Sequence, residues 1–265
     1  MKMGRIIAIA NQKGGVGKTT TAISLSASFA AAERKTLLVD MDPQANATGG
    51  MGIRDGDVDG SIYDLLLQEV SYQNLLLKTS IPFLYLLPSK TSLVGVEVEL
   101  VKKEGREFIL KNSLEMAKRE FDFILIDSPP SLGFLTLNAL VSADSVLIPI
   151  QPEYYALEGL GRFLDTVHLV QKRLNPSLFI EGILITLYDG RLKLAKEVEE
   201  ELRRFFKEKV FQSVIPRNVR LAEAPSHGKP ILLYDILSPG AVSYMNLAKE
   251  VLFRLGESKE STVNR

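Results

Sequence analysis

The sequence predicts an α/β fold, a doubly wound, mostly parallel sheet with helices on both faces. Three observations lead there: short apolar runs recur along the chain, helix-like segments fall between them, and a glycine-rich loop joins the first run to the first helix. The runs cover residues 5–10, 36–40, 83–87, 121–127, 145–150 and 179–187. They are apolar throughout rather than alternating, as strands covered on both sides must be, and their alternation with helical segments is the pattern of a parallel sheet.

Taken in order, residues 5–10 lead through the loop 11–17 into a helix that begins near Lys18, with apolar residues at helical spacing over 24–32. The runs 36–40 and 121–127 both end on an aspartate. Residues 157–174 carry a helical apolar stripe, and 192–207 carry one with a strongly charged outer face. Loops are punctuated at Pro129-Pro130, Pro149, Pro152, Pro216 and Pro239-Gly240. Residues 247–255 read as a core-packed final helix. Residues 1–256 are expected to form one domain, followed by a polar tail over 257–265; a chain of 265 residues is an ordinary length for one such domain.

Composition narrows the function classes. Cysteine is absent, which excludes disulfides, thiolate metal sites, iron–sulfur clusters and cysteine nucleophiles. Lys plus Arg and Asp plus Glu both total 32, so attraction to nucleic acid must come from a local patch. Apolar runs stop well short of the ~20 residues a membrane span needs, and the N-terminus lacks a cleavage-site pattern; the expectation is a cytoplasmic protein. Neither histidine, His168 or His227, sits in a metal or triad pattern.

The chemistry concentrates in Lys13-Gly14-Gly15-Val16-Gly17-Lys18-Thr19. A loop between a strand and a helix N-terminus aims backbone N–H groups at one spot, which suits an anion. Gly14, Gly15 and Gly17 let phosphate oxygens approach the backbone, Lys18 would reach the β- and γ-phosphates, and the Thr19 hydroxyl would bind Mg²⁺. Val16 and Thr20 complete the expected nucleotide-binding stretch. The usual phosphate-loop pattern has glycine where this chain has Gln12, and it has no second lysine such as Lys13. A second ammonium beside a triphosphate would neutralise charge developing in the transition state, as an arginine finger does.

Two aspartates close predicted strands at the sheet edge where open α/β folds bind ligands. Asp127, in Asp127-Ser128-Pro129-Pro130, is expected to support Mg²⁺ through a water; Asp42, in Asp40-Met41-Asp42-Pro43-Gln44, is expected to orient the attacking water and to touch the metal's water shell. The role of Asp40 is left open.

The loop Lys13 to Thr19, the segment Asn46-Ala47-Thr48, the segment Ile126-Asp127-Ser128-Pro129-Pro130-Ser131-Leu132-Gly133, the segment Glu153-Tyr154-Tyr155-Ala156-Leu157-Glu158-Gly159-Leu160 and the stretch 215–230 together resemble the ParA/Soj chromosome-partitioning ATPases, of the deviant Walker A (ParA/MinD) group. Matching blocks run from Arg5 to about Lys249. The resemblance implies an ATPase that forms an ATP sandwich homodimer, with Lys13 reaching the partner subunit's nucleotide. It implies non-specific double-stranded DNA binding by the dimer, hydrolysis stimulated by a ParB-type partner, and a nucleoid-associated location. It assigns Asp42 to the first switch and the run from Asp127 to Gly133 to the second. It places backbone near Pro216 and Asn218 against the adenine, and Arg191 and Arg220 on the DNA surface, with Lys193, Lys196, Arg203 and Arg217 as candidate extensions. Two alternatives stay open: a MinD-like membrane-surface ATPase, which needs a basic amphipathic C-terminal helix, and a nucleotide-gated regulator without significant hydrolysis.

Overall fold

The computed structural model describes residues 3–256, so the expected tail at 257–265 lies outside the described residues. Seven strands, β1 (Arg5–Ile9), β2 (Thr36–Asp40), β3 (Leu77–Lys78), β4 (Leu84–Leu87), β5 (Phe123–Asp127), β6 (Ser145–Ile150) and β7 (Phe179–Ile185), form one sheet in the order β3-β4-β2-β5-β1-β6-β7. Every pairing is parallel except β3 with β4.

The central positions of the long strands are apolar on both sides, as expected of a sheet covered on both faces, with polar residues mostly at the strand ends. Ile6, Ala8, Leu37, Val39, Ile124, Ile126, Val146 and Ile148 face one core, which includes Leu140 of the helix Phe134–Ser142 and Phe163 of the helix Ala156–Arg173. Their strand neighbours Ile7, Ile9, Leu38, Phe123, Leu125 and Leu147 face a second core built with the helices Lys18–Ala31 and Pro239–Arg254. There Phe29 stacks on Phe123 with ring centroids 4.3 Å apart.

All six expected strands form, two with the expected bounds. The run 83–87 loses Phe83, which takes a left-handed φ of 66° and lies exposed. The run 121–127 starts at Phe123, since Phe121 closes the short helix Ala117–Glu120. The run 179–187 stops at Ile185, because the Thr186 hydroxyl turns to donate to the Val16 carbonyl (2.8 Å) and Leu187 takes φ 51°. The two-residue β3 was too short to leave a pattern.

The final helix is core-packed as expected but begins at Pro239 rather than at 247. Ser238 caps it, its hydroxyl accepting from the Ala241 N–H at 3.2 Å, and Pro239 fits the first turn, where no N–H is needed. Tyr244, Leu247 and Val251 are buried against the helix Lys18–Ala31, and the Tyr244 and Thr21 hydroxyls are 3.0 Å apart.

The stretch 215–230 has a packing reason for one of its residues. Gly52 (φ +83°) and Gly228 (φ +61°) pass backbone against backbone, and a Cβ on Gly228 would lie 2.6 Å from the Gly52 Cα. Gly105 has a similar φ of +70° but open space around it. Gly228→Ala is therefore expected to destabilise the protein by about 2–4 kcal/mol, against about 1 kcal/mol for Gly105→Ala, in urea unfolding; equal costs would mean that the close approach is not what fixes glycine at 228.

Candidate nucleotide and metal site

Register assembles the site. Ile9 of β1 and Asp40 of β2 both pair with Asp127 of β5, so the loop after β1 and the two strand-end aspartates share one sheet edge. Gly17 takes φ 81° at the start of the helix Lys18–Ala31, a conformation that glycine adopts without strain. Gly14, Gly15, Gly17, Lys18, Thr19, Thr20, Asp42, Gln44, Asn46, Pro130 and Leu187 line a cleft of about 320 Å³ at that helix N-terminus. A larger groove of about 670 Å³ lies away from these groups, between the helices Phe134–Ser142 and Ala156–Arg173, and is lined by a mixture of leucine and valine with Glu97, Arg106, Glu107 and Arg173.

Lys18 is buried, and its ammonium donates to the Lys13 carbonyl at 3.0 Å. Burial lowers its pKa, against the opposing pull of Asp127 and Asp42. Asp127 is fully buried; the Thr19 hydroxyl approaches its carboxylate, but neither oxygen completes a hydrogen bond of good geometry. Burial raises its pKa well above the usual carboxylate range and the neighbouring Asp40 adds to this, while the Thr19 hydroxyl and Lys18 pull it down. A buried carboxylate without a partner is costly, and a cation beside it would remove that cost. Oxygen donors suit Mg²⁺, which takes one or two protein ligands and completes its shell with waters and phosphate oxygens. The described residues hold no cluster of three or more His, Asp or Glu able to bind a metal without such help.

Asp40 has a different task. Its Oδ2 accepts from the Thr48 N–H (2.8 Å) and hydroxyl (2.7 Å), and its Oδ1 accepts from the Asp42 N–H (3.1 Å). The Thr48 hydroxyl in turn accepts from the Ser89 N–H (2.9 Å), and the Ser89 hydroxyl donates to the Asp42 carbonyl (2.7 Å). Burial pushes the Asp40 carboxyl up to about 6 in spite of those bonds. Asp42 itself projects into the cleft, its Oδ1 accepting from the Gln44 N–H at 2.9 Å.

The non-glycine half of the loop is stapled to the end of β6 and to the first turn of the helix Ala156–Arg173. Asn11 accepts from the Lys13 N–H (3.0 Å) and donates to the Pro149 carbonyl (2.8 Å), while the Gln12 amide donates to the Gly159 carbonyl (3.1 Å). The Lys13 ammonium pairs with Glu153 at the surface and does not reach into its own cleft.

A family model described as an AAA domain matches residues 4–180. The chain is 56% identical over 252 residues to the chromosome partitioning protein ParA of Myxococcus xanthus, covering 95% of this chain and 89% of that one. It is 54% identical over 249 residues to the sporulation initiation inhibitor protein Soj of Bacillus subtilis, covering 94% and 98%. The chain belongs to the ParA/Soj family of partition ATPases. Among solved structures it is similar to cobyrinic acid a,c-diamide synthase of Mycobacterium smegmatis with bound ADP and magnesium, at TM-score 0.84 and 36% identity over 97% of this chain and 98% of that one. The cell division ATPase MinD of Pyrococcus furiosus gives TM-score 0.79 and 30% identity over 95% and 100%.

Not every residue expected of a ParA/Soj site converges on the cleft. Pro216 and Asn218 lie outside it, on a strip held beside Leu187 by the Tyr188 N–H donating to the Ile215 carbonyl (3.0 Å) and the Arg217 N–H donating to the Tyr188 carbonyl (2.9 Å). The Asn218 side chain caps the short helix Val219–Glu223 by accepting from the Arg220 N–H at 2.9 Å. Arg191 is exposed but grips Asp189 with two bonds (2.9 and 2.7 Å), which hold the Asp189 carboxyl at about 2. Arg220 is shared between Glu223 (3.0 Å) and Asp235 (3.5 Å). Among the candidate extensions, Lys193 pairs with Glu197, and Arg203 is half-buried between Glu199 and the Phe211 carbonyl, which makes it a brace rather than a free cation. Thr48, Ser89, Thr186 and Leu187 take roles that arise from tertiary contacts; Thr48 lies in a segment that carries the resemblance and Thr186 and Leu187 at the end of an expected strand, but none of these patterns points to the site.

A carboxyl whose pKa is raised by folding favours the native state at low pH, and that contribution is lost as pH rises through the folded value. For Asp40 the loss runs from about pH 4 to about 6, and for Asp127 it extends higher. Asp127→Asn is accordingly expected to raise the melting temperature of the nucleotide-free protein in a chelator, by more at pH 8 than at pH 5. A gain independent of pH, read by differential scanning fluorimetry, would contradict the assigned burial cost.

Proposed function

We propose that this chain binds MgATP, forms a homodimer across it, coats double-stranded DNA without sequence preference in that state, and hydrolyses ATP when a ParB-type partner stimulates it, in chromosome or plasmid segregation. The observation that carries the reading is the fully buried Asp127, whose carboxylate oxygens complete no hydrogen bond, next to Lys18 and Thr19, which line the glycine-rich cleft. Cobyrinic acid a,c-diamide synthase of Mycobacterium smegmatis, solved with bound ADP or an ATP analogue and magnesium, shares the fold at 36% identity.

On this reading Lys18 and the backbone of Gly14 to Thr20 would hold the phosphates, and Thr19, with Asp127 through a water, would hold Mg²⁺, which supplies charge neutralisation when bound. Asp42, fixed by the chain of bonds from Asp40 through Thr48 and Ser89, orients the attacking water. Lys13 stands on the outer rim of the loop, where a second subunit's nucleotide would meet it. Pro216 and Asn218 flank the adenine from the neighbouring strip. Residues 1–256 act as one ATPase domain, cytoplasmic and nucleoid-associated.

The DNA face runs through Arg191 and Arg220, which pair with Asp189 and with Glu223 and Asp235 respectively. Their own-chain carboxylates compete with phosphate, so one subunit grips weakly, and non-specific binding of this kind has dissociation constants of about 10⁻⁴ to 10⁻⁶ M. Two faces on one dimer turn this into a bivalent grip. DNA is favoured over a membrane surface because the final described helix commits Tyr244, Leu247 and Val251 to the core, which leaves its apolar face unavailable to lie on lipid.

Gel shifts on random duplex at low salt, with ATP, ADP or no nucleotide, test the reading: binding is expected only with ATP, and Arg191→Glu should weaken it by at least about tenfold. Binding to anionic liposomes in place of DNA would reverse it. Lys13→Ala is expected to keep nucleotide affinity within about twofold of wild type while abolishing dimer formation and stimulated hydrolysis, whereas Lys18→Ala should lose nucleotide binding outright, both followed by fluorescent-nucleotide titration and sedimentation.

A further inference from the structure

The ion pair between Lys13 and Glu153 lies in an otherwise well-tied corner. The backbone of Lys13 is fixed from two sides, its N–H by Asn11 (3.0 Å) and its carbonyl by the Lys18 ammonium (3.0 Å). Asn11 and Gln12 are themselves bonded to Pro149 and Gly159, which bracket Glu153 in the chain. Only the Lys13 side chain is left to choose a direction. In the single subunit it turns to Glu153, with both groups still two-fifths to one-half exposed.

We propose that Glu153 is a positioning residue for Lys13: it holds the ammonium folded back on its own subunit and releases it when two subunits close over nucleotide. The inference rests on the dimerising reading of Lys13 given above. A lysine that must cross to a second subunit has to give up whatever partner it keeps at home, and each closing dimer breaks two such pairs. An exposed pair is weak, so each one shifts the equilibrium by about threefold and the two together by about tenfold. That size suits a threshold rather than a lock, since the pair delays closure without preventing it. The staples at Asn11 and Gln12 keep the loop in place after release, so only the side chain moves.

Glu153→Gln keeps the shape of the side chain and removes the charge, with Glu158→Gln as the control, since Glu158 pairs with Arg162 one turn into the adjoining helix. Two readouts apply to the full chain. In the ADP-bound monomer, Lys13 of Glu153→Gln should react about threefold faster with an amine-reactive ester than Lys13 of wild type, normalised to Lys193 and Lys196 in the same digest. With a non-hydrolysable ATP analogue, the apparent dimer dissociation constant should fall by about tenfold in Glu153→Gln and stay put in Glu158→Gln. Unchanged Lys13 labelling, or a dimer that forms no more readily or less readily in the variant, overturns the inference while leaving the ATPase reading intact. Failure of the wild type itself to dimerise with the analogue overturns both.

Discussion

A carboxylate with no hydrogen-bond partner, buried at the end of a central strand, sets the terms for the rest of this molecule. Asp127 is placed where it is by the ladder that also fixes β1 and β2, and a charge cannot be left there cheaply. Two features of its surroundings answer that cost. A buried lysine approaches from the helix that opens after the phosphate loop, and the protein keeps a cleft open in front of it for a cation and the phosphates that bring one. Stability in the empty state is given up for affinity in the loaded state, as expected where function and packing compete.

Around that centre the polar groups divide between those that hold and those that act. Asp40 is as buried as Asp127 but spends its oxygens on Thr48 and the Asp42 backbone. Ser89, from the loop after β4, closes the circuit onto the Asp42 carbonyl. Asp42 is thus pinned through its main chain while its side chain remains turned to the cleft. Asn11 and Gln12 do the same for the other half of the site. The departure from glycine at position 12 has a physical reason, for the Gln12 side chain makes a bond that glycine could not.

Much of this was legible in the sequence. Strands covered on both faces announce themselves by uninterrupted apolarity, so all six long strands were found, and the loop before Lys18 combines residue types that few other purposes need. Boundaries were lost where a single backbone angle decided them, as at Phe83 and Leu187, because a left-handed turn at a bulky residue leaves no trace in composition. The bonds of Thr48 and Ser89 were hidden for another reason: they join positions 41 residues apart through the fold. The surface arginines were legible as cations but not as partners of Asp189 and Glu223, since solvent-exposed pairing depends on side-chain geometry alone.

The strand order has a consequence for how the molecule comes into being. β1 lies between β5 and β6, and the helix after it is covered by the final helix. The phosphate loop is therefore made early and supported late. A chain emerging from a ribosome presents Lys18 long before the strands that will bury it, and non-local parallel pairing of this kind is slow to assemble. The site consequently depends on strands and a helix from the far half of the chain, and a chain truncated before its final helix would carry every residue of the phosphate loop without the packing that covers the helix behind it.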